Sequence, residues 1–248
     1  MRYFLEIAFD GTDFHGWQRQ PNAITVQQVL EEALALVCKI GNGIVGAGRT
    51  DTGVHASQIF AHLDADFDLT ETLWKDKLNS FLPPSVVIRS IRKMKDEAHA
   101  RFDATARTYK YFISLGKDPF KTKFSHSVHH TPDIELMNKA AEKLLGTQDF
   151  QCFSRSKTDV KTYICTLTEA AWTRQDGSLV FTITADRFLR NMVRAVVGTL
   201  LEVGYGKRSV ESITELIESK NRSQAGASAP AKGLFLHKIS YPEALFES

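Results

Sequence analysis

The sequence predicts an α+β fold of two similar units, each a mostly antiparallel sheet covered by helices on one face. The chain has 248 residues, 43% hydrophobic and 24% charged, which is close to the averages of globular proteins. Strand and helix patterns succeed one another in both halves, and at about 150 residues per domain the length allows two units. We expect one unit over residues 1–97 and the other over residues 98–248.

The first unit begins with a strand and a capped helix. Residues 3–9 are mostly apolar and end at a turn sequence, which predicts a strand. Apolar residues at helical spacing predict a helix over 25–37, and Thr25 with Gln28 forms a capping box at its start. The remaining elements expected here are strands over 43–47, 58–63 and 86–91, and a helix over 70–81 that ends before Pro83-Pro84.

The second unit repeats this order of elements. A strand is expected over 108–115 and a helix over 134–145, with Thr131 as its candidate N-cap, Pro132 at its first position and Gly146 after it. Alternating residues predict a hairpin across the turn 175–177. Helices over 188–203 and 210–219 and a strand over 234–239 follow, and the small, polar residues 223–232 predict a surface loop.

The net charge is only +2, but the charged residues are unevenly distributed. Six basic residues oppose two acidic ones between Arg101 and Lys123, and five oppose one between Arg187 and Arg208. Five acidic residues outnumber two basic ones between Asp64 and Leu78. A basic face is typical of proteins that bind phosphate backbones. We therefore expect the two units to join into an extended sheet with a central basic cleft, although solvated charged faces would explain the same segments.

Several classes of protein are disfavoured. No stretch approaches the roughly 18 apolar residues of a membrane span, and the N-terminus lacks the pattern of a signal peptide, so a cytoplasmic location is expected. Cys38, Cys152 and Cys165 are widely spaced, without a C-x-x-C pair, which argues against a disulfide framework and a zinc site. We expect reduced, buried thiols and no metal.

The most informative stretch is Gly46–Ala56 (GAGRTDTGVHA). Its glycines allow backbone geometry that a β-carbon would forbid, and Asp51 follows directly after Arg49 and Thr50, so the loop can present one acid. A phosphate-binding loop is the alternative. The stretch lacks the Lys-Ser/Thr of a P-loop and the third glycine of the dinucleotide fingerprint, which disfavours that interpretation.

Five segments together resemble the TruA family of tRNA pseudouridine synthases. The resemblance covers nearly the whole chain, in the expected order, in FDGTDFHGWQRQ (9–20), GAGRTDTGVHA (46–56), HARFDATARTYKY (99–111), FLRNMVRAVVGTLLEVG (188–204) and GLFLHKISYP (233–242). It implies an isomerase that converts uridine to pseudouridine at positions 38, 39 and 40 in the anticodon arm of tRNA. It also implies a homodimer in which one tRNA contacts both subunits, with no cofactor.

The resemblance assigns roles to four residues. Asp51 becomes the catalytic aspartate, and Arg194 the arginine that pairs with it. Arg49 is expected to enter the RNA stack as the target nucleotide leaves it, and Tyr109 to stack on the uracil, which offsets part of the cost of extruding the base. Without the resemblance, Arg194 would be taken for a surface residue, Arg49 for a loop-fixing ion pair and Tyr109 for core.

Other residues are candidates for RNA contact. Arg190 lies four residues before Arg194, so the two are expected on one helix face, and Trp17 is expected to be a packing anchor rather than a base stacker. Within a strand, Tyr109 and Tyr111 share one face, so one of them can be core. The remaining candidates for RNA contact are Arg19, Arg107 and Lys110.

Two other functions stay open on the sequence alone. A non-catalytic RNA-binding module would explain the basic segments and aromatic residues, but it offers no reason for Asp51 to stand between Arg49 and Gly53. An enzyme acting on small nucleotides would turn over free uridine nucleotides and show weak salt dependence, whereas binding to RNA falls steeply as salt rises.

Overall fold

The computed structural model describes residues 1–155 and 160–246, which form ten strands and five α-helices. The strands are β1 (Arg2–Phe9), β2 (Val45–Gly46), β3 (His55–Asp64), β4 (Val86–Met94), β5 (Ala106–Leu115), β6 (His126–Val128), β7 (Gly146–Asp149), β8 (Ile164–Gln175), β9 (Ser178–Ala185) and β10 (Leu234–Ser240). The helices are α1 (Val26–Cys38), α2 (Thr72–Phe81), α3 (Ile134–Glu142), α4 (Met192–Gly204) and α5 (Ser212–Ser219). The strand pairing is mostly antiparallel, so the predicted α+β class is confirmed.

The chain divides into two compact units. Unit 1 consists of Met1–Thr105 and Phe235–Ser248, and unit 2 of Ala106–Leu234. This division differs from the predicted one at residues 97/98, because the C-terminal strand returns to the first unit, where β10 pairs in parallel with β3. The pairing of two strands that lie so far apart in sequence has no local signal. The expected basic cleft stays a prediction.

The sheet of unit 1 has the strand order β4-β1-β3-β10, with β2 also paired to β3. Leu5, Ile7 and Ile59 are fully buried in its core. Helix α1 starts where the sequence predicts, since the Thr25 side chain accepts a hydrogen bond from the Gln28 backbone N–H at 3.3 Å. The capping box is half formed, because the Gln28 side chain donates to Glu32 instead.

The sheet of unit 2 has the order β5-β9-β8-β7, with β6 paired in parallel to β5. The predicted hairpin is confirmed as β8 and β9, which are joined by Asp176 and Gly177 with φ of 44° and 72°. Positive φ at both positions is what a two-residue type I′ turn requires. Short strands β6 and β7 were not predicted, since three or four residues carry too little alternation.

Three local predictions in unit 2 are wrong. Asp133, not Thr131, is the N-cap of α3, and its carboxylate accepts from the backbone of the next turn. Helix α4 begins at Met192 rather than at residue 188, because Asn191 has a left-handed φ of 64°. Residues 223–232 are more than a surface loop, since Gly226 and Ala229 are buried.

We expect Asp133→Ala to lower the free energy of unfolding by about 1 kcal/mol. Its Oδ1 accepts hydrogen bonds from the backbone N–H groups of Glu135 at 2.9 Å and Leu136 at 3.0 Å, and both donors would lose their partner. Thermal denaturation would show a fall of about 2–4 °C in Tm. Thr131→Ala is the control and should leave Tm unchanged. Equal effects of the two variants would contradict the assignment of the cap.

The described part of the chain contains no helix that is both long and apolar enough to cross a membrane. Within it, no group of three or more His, Cys, Asp or Glu side chains could hold a metal ion. Cys38, Cys152 and Cys165 are buried free thiols. Burial raises the pKa of Cys152 and of Cys165 to about 12, so both stay protonated at neutral pH.

Candidate active site

The loop that carries Asp51 leaves β2 and is held in place by Trp17. The backbone N–H of Trp17 donates to the Thr50 carbonyl at 3.3 Å, and Trp17 is only 1% exposed. A β-carbon on Gly46 would lie 2.4 Å from Trp17 Nε1, so only glycine allows the ring to pack against the start of the loop. The expectation that Trp17 is a packing anchor is confirmed.

Backbone contacts fix the loop on both sides of Asp51. Gly16 has a φ of 85°, and a β-carbon there would lie 2.4 Å from the Thr50 carbonyl oxygen. After Asp51, the Val54 N–H donates to the Asp51 carbonyl at 3.1 Å, which closes a turn with Gly53 at φ 73°. Gly48 shows no such need, because a β-carbon there would have no heavy atom within 4 Å.

The three central residues of the loop differ in burial. Arg49 is exposed, Thr50 is buried and Asp51 is half-buried. A half-buried carboxylate at a fixed turn is accessible to a ligand and restricted in its motion. The Thr50 hydroxyl oxygen is buried without a hydrogen-bond partner among the described residues.

Gly16→Ala tests whether this packing positions Asp51. The added methyl group would push against the Thr50 carbonyl, and the alanine backbone would have to keep a positive φ. We therefore expect a loss of about 1–3 kcal/mol in the free energy of unfolding. Turnover should fall at least about tenfold, because Thr50 adjoins Asp51 and misplacement of about 1 Å can cost a hundredfold. Gly41→Ala is the matched control, with open space around its β-carbon. Normal turnover in Gly16→Ala, measured well below its Tm, would contradict this role.

His55, at the start of β3, supports the loop rather than facing a ligand. It is fully buried, its ring stacks on Phe235 at 4.5 Å, and its Nδ1 accepts from the Gly11 backbone N–H at 3.0 Å. A β-carbon on Gly11 would overlap the Val54 carbonyl at 2.0 Å, so glycine is required for this close approach.

In unit 2, the two tyrosines of β5 have different surroundings. Tyr111 is fully buried and its hydroxyl donates to the Pro230 carbonyl at 2.9 Å, so it is the core residue of the pair. Burial raises its pKa well above the usual value, and the charge of Arg194 acts in the opposite direction. Tyr109 is half-buried, with its ring edge-on to Phe188 at 5.1 Å.

Arg194 lies in the first turn of α4 and is half-buried. Its Nε donates to the Ala229 carbonyl at 2.7 Å, and the Ala229 N–H donates to the Arg194 carbonyl at 2.9 Å. The first bond restrains the guanidinium group through Nε, and the second ties the backbone of the first turn of α4 to Ala229. The position near a helix N-terminus adds positive potential, which favours an anionic neighbour.

The segment that holds Arg194 is itself packed tightly on α4. A β-carbon on Gly198 would lie 1.8 Å from the Ala227 carbonyl, and the Gly226 N–H donates to the Thr199 hydroxyl at 2.9 Å. Asn191 donates to Ser228 at 2.6 Å. Sequence reasoning missed this support. The available signal was Gly198, because a glycine inside a helical pattern often marks a close approach of backbone.

The four candidates for RNA contact differ in their exposure and in the partners of their charged groups. Arg19 is exposed and forms an ion pair with Glu31 at 2.8 Å, while Arg107 is half-buried and donates to the Asp186 carbonyl at 2.7 Å. Lys110 is half-buried and Arg190 is exposed. The prediction that Arg190 and Arg194 share one helix face is wrong, because Arg190 precedes the left-handed Asn191 and lies outside α4.

Unit 1 thus brings Arg49 and Asp51 together on one anchored loop, and unit 2 brings Tyr111 and Arg194 together on the segment at Ala229 and Pro230. In each unit, hydrogen bonds to backbone groups hold the segment that carries the charged residue.

Comparison with known proteins gives consistent results. The family model described as tRNA pseudouridine synthase matches residues 7–103 and 140–242. The chain is 50% identical over 248 residues to tRNA pseudouridine synthase A of Bacteroides thetaiotaomicron, which covers 99% of this chain and 92% of that protein. It is 48% identical to the protein of the same name from Parabacteroides distasonis, over 99% of this chain and 98% of the relative. The corresponding protein of Bacillus licheniformis is 40% identical, over 97% and 99%.

Proposed function

Because the chain belongs to the tRNA pseudouridine synthase family and is therefore an isomerase, we propose that it converts uridine to pseudouridine at positions 38, 39 and 40 of the tRNA anticodon arm. The observation that carries the proposal is Asp51, a half-buried carboxylate on a loop anchored at Gly16, Trp17 and Gly53. A binding module would have no need for an acid held in this way. Negative charge on such a surface would weaken RNA binding.

The reaction breaks the bond from uracil N1 to ribose C1′ and forms one from C5 to the same carbon. N1 gains a proton and C5 loses one, so atoms and electrons balance without an oxidant or reductant. The Asp51 carboxylate can attack C1′, attack the uracil ring, or remove a ribose proton to help expel the base. In each route the carboxylate acts on a nucleotide that has left the RNA stack.

Three other side chains would act on the same nucleotide. Tyr109, half-buried with one edge against Phe188, offers a ring for stacking on uracil. Arg49 is exposed on the same loop as Asp51, and it would enter the RNA stack in place of the extruded nucleotide. Arg194, whose Nε donates to the Ala229 carbonyl, would offer its other guanidinium N–H groups to a carboxylate.

Recognition of the RNA would depend mainly on phosphate contacts and shape. Arg19, Arg107, Lys110 and Arg190 are the proposed contacts, of which Arg190 is exposed and Arg19 shares its charge with Glu31. A homodimer in which one tRNA touches both subunits fits a net charge of only +2 with two basic segments. We also propose a cytoplasmic location, where tRNA is found.

The direct test is to incubate the protein with unmodified tRNA and map pseudouridine by its position. The proposal predicts new pseudouridine at one or more of positions 38, 39 and 40, and none elsewhere. Free uridine nucleotides should not react, and tRNA binding should fall steeply as salt rises. Modification at other positions would refute the proposed specificity, and turnover of free nucleotides would favour the small-molecule alternative.

A further inference from the structure

The turn after β4, from His99 to Asp103, is fixed by hydrogen bonds and carries the exposed aromatic ring of Phe102. The His99 side chain accepts hydrogen bonds at Nδ1 from the backbone N–H groups of Arg101 at 3.1 Å and Phe102 at 3.3 Å. The Asp103 carboxylate accepts from the His99 backbone N–H at 2.7 Å. These bonds fix the turn, and yet the ring of Phe102 is 75% exposed.

Phe102 is the outer ring of a stack of three. It lies on His99 with ring centroids 4.1 Å apart and planes 29° from parallel, and His99 meets the buried His62 edge-on at 4.5 Å. His62 in turn accepts from the Ala100 backbone N–H at 3.1 Å. Burial, followed by the charge of Arg2, lowers the pKa of His62 to about 4, and the same causes lower the pKa of His99. Both imidazoles are therefore neutral supports for the exposed ring.

The stack lies on the face of the unit 1 sheet opposite α2, where Tyr241 packs on Phe4. Phe4 opposes His62 across β1 and β3 and contacts its ring, whereas Tyr3, the next residue, points to the other face. There the Tyr3 hydroxyl donates to the Phe67 carbonyl, and the Phe67 ring packs against Trp74 of α2.

One arginine adjoins the Phe102 ring, and a second lies elsewhere on the same face of the sheet. Arg92 opposes Phe4 across β1 and β4 and so shares the face with His62, but its guanidinium lies 5.5 Å from the centroid of the Phe246 ring. The guanidinium of Arg101 lies 6.0 Å from the centroid of the Phe102 ring. An exposed aromatic ring beside an arginine matches the chemistry of single-stranded RNA, in which bases stack on aromatic rings and phosphates contact cations.

The stack and the Asp51 loop are at opposite ends of β3. Asp51 precedes His55, the first residue of the strand, and His62 is seven residues further, which corresponds to about 23 Å. A nucleotide that reaches Phe102 is therefore a different one from the nucleotide that reaches Asp51.

We propose that Phe102, supported by His99 and flanked by Arg101, is a stacking platform for an unpaired nucleobase of the tRNA, remote from the target uridine. This inference rests on the proposed function, since it takes tRNA as the substrate. The Phe102 platform would be a second contact with the tRNA. It would recognise an unpaired base of any sequence, because every base offers an aromatic face.

The test compares full-length Phe102→Ala, Phe102→Leu and Phe102→Trp with the wild type in binding to unmodified tRNA and to an RNA duplex without unpaired nucleotides, at one ionic strength. Alanine and leucine should each weaken tRNA binding about tenfold, equivalent to about 1.4 kcal/mol, while tryptophan should bind at least as tightly as phenylalanine. Binding to the duplex should not change, and turnover at saturating tRNA should stay normal.

The matched control is Phe81→Ala, which removes another exposed phenylalanine of unit 1, at the end of α2. It should bind tRNA within about twofold of the wild type. Three results would overturn the inference: unchanged binding by Phe102→Ala, full binding by Phe102→Leu, which would indicate a simple apolar contact, or a smaller molecular mass of Phe102→Ala in solution, which would indicate a second copy of the chain. If the wild type neither binds nor modifies tRNA, the proposed function itself fails.

Discussion

Replacing Asp51 with asparagine or alanine should abolish pseudouridine formation, with a loss of at least about a thousandfold in kcat. Asparagine keeps the size of the side chain and removes its charge, so it cannot act as nucleophile or base. Removing a group that takes part in bond making commonly costs this much or more. Affinity for tRNA should stay within a few-fold or improve, since a negative charge facing RNA is lost.

Because the side chain is half-buried and follows a turn held by the backbone, neither variant should change the free energy of unfolding by more than about 1 kcal/mol. Asp66→Asn, at an exposed position of the same unit, is the control and should be fully active. The measurement is single-turnover modification of unmodified tRNA. Substantial activity in Asp51→Asn would remove the chemical basis of the proposed function.

Replacing Arg194 with glutamine should lower kcat by about a hundredfold, the cost of losing a positioned electrostatic partner. Lysine should recover only part of this loss. It keeps the charge, but it lacks the Nε that donates to Ala229 and the planar fork that binds a carboxylate through two bonds. The KM for tRNA should change little, because the group acts on the reacting centre rather than on the phosphate backbone.

The control for this experiment is Arg174→Gln, at an exposed position on β8, which should leave kcat unchanged. The double variant Asp51→Asn with Arg194→Gln tests the predicted pairing of the two residues. If they act as a unit, the double variant is no slower than Asp51→Asn alone. Additive losses would indicate that Arg194 acts independently of Asp51.

The elements with strong local signals were predicted well. The Thr25 cap of α1 and the Asp176-Gly177 hairpin turn follow from residue chemistry over a few positions. Other features depend on contacts between distant residues. The choice of Asp133 over Thr131 as a cap and the left-handed Asn191 before α4 are decided by how the chain enters each helix, which periodicity does not record.

The candidate site was predicted in part, for the same reason. The Gly-rich stretch around Asp51 indicated a loop that presents an acid, but the requirement for Gly16 comes from the Thr50 carbonyl, more than thirty positions away. Likewise, the support of Arg194 by Ala229 brings together a helix and a segment whose composition predicted an ordinary surface loop. A sequence pattern can identify such residues, but not the backbone groups that hold them.

The central claim is that the Asp51 carboxylate meets a uridine extruded from the anticodon arm. The most direct measurement is an experimental structure of the protein bound to unmodified tRNA, trapped by Asp51→Asn. We expect the side chain of residue 51 to lie against the ribose or the base of nucleotide 38, 39 or 40, with that base unstacked and facing the Tyr109 ring. A complex in which these nucleotides stay stacked, or in which residue 51 faces solvent far from the RNA, would contradict the account.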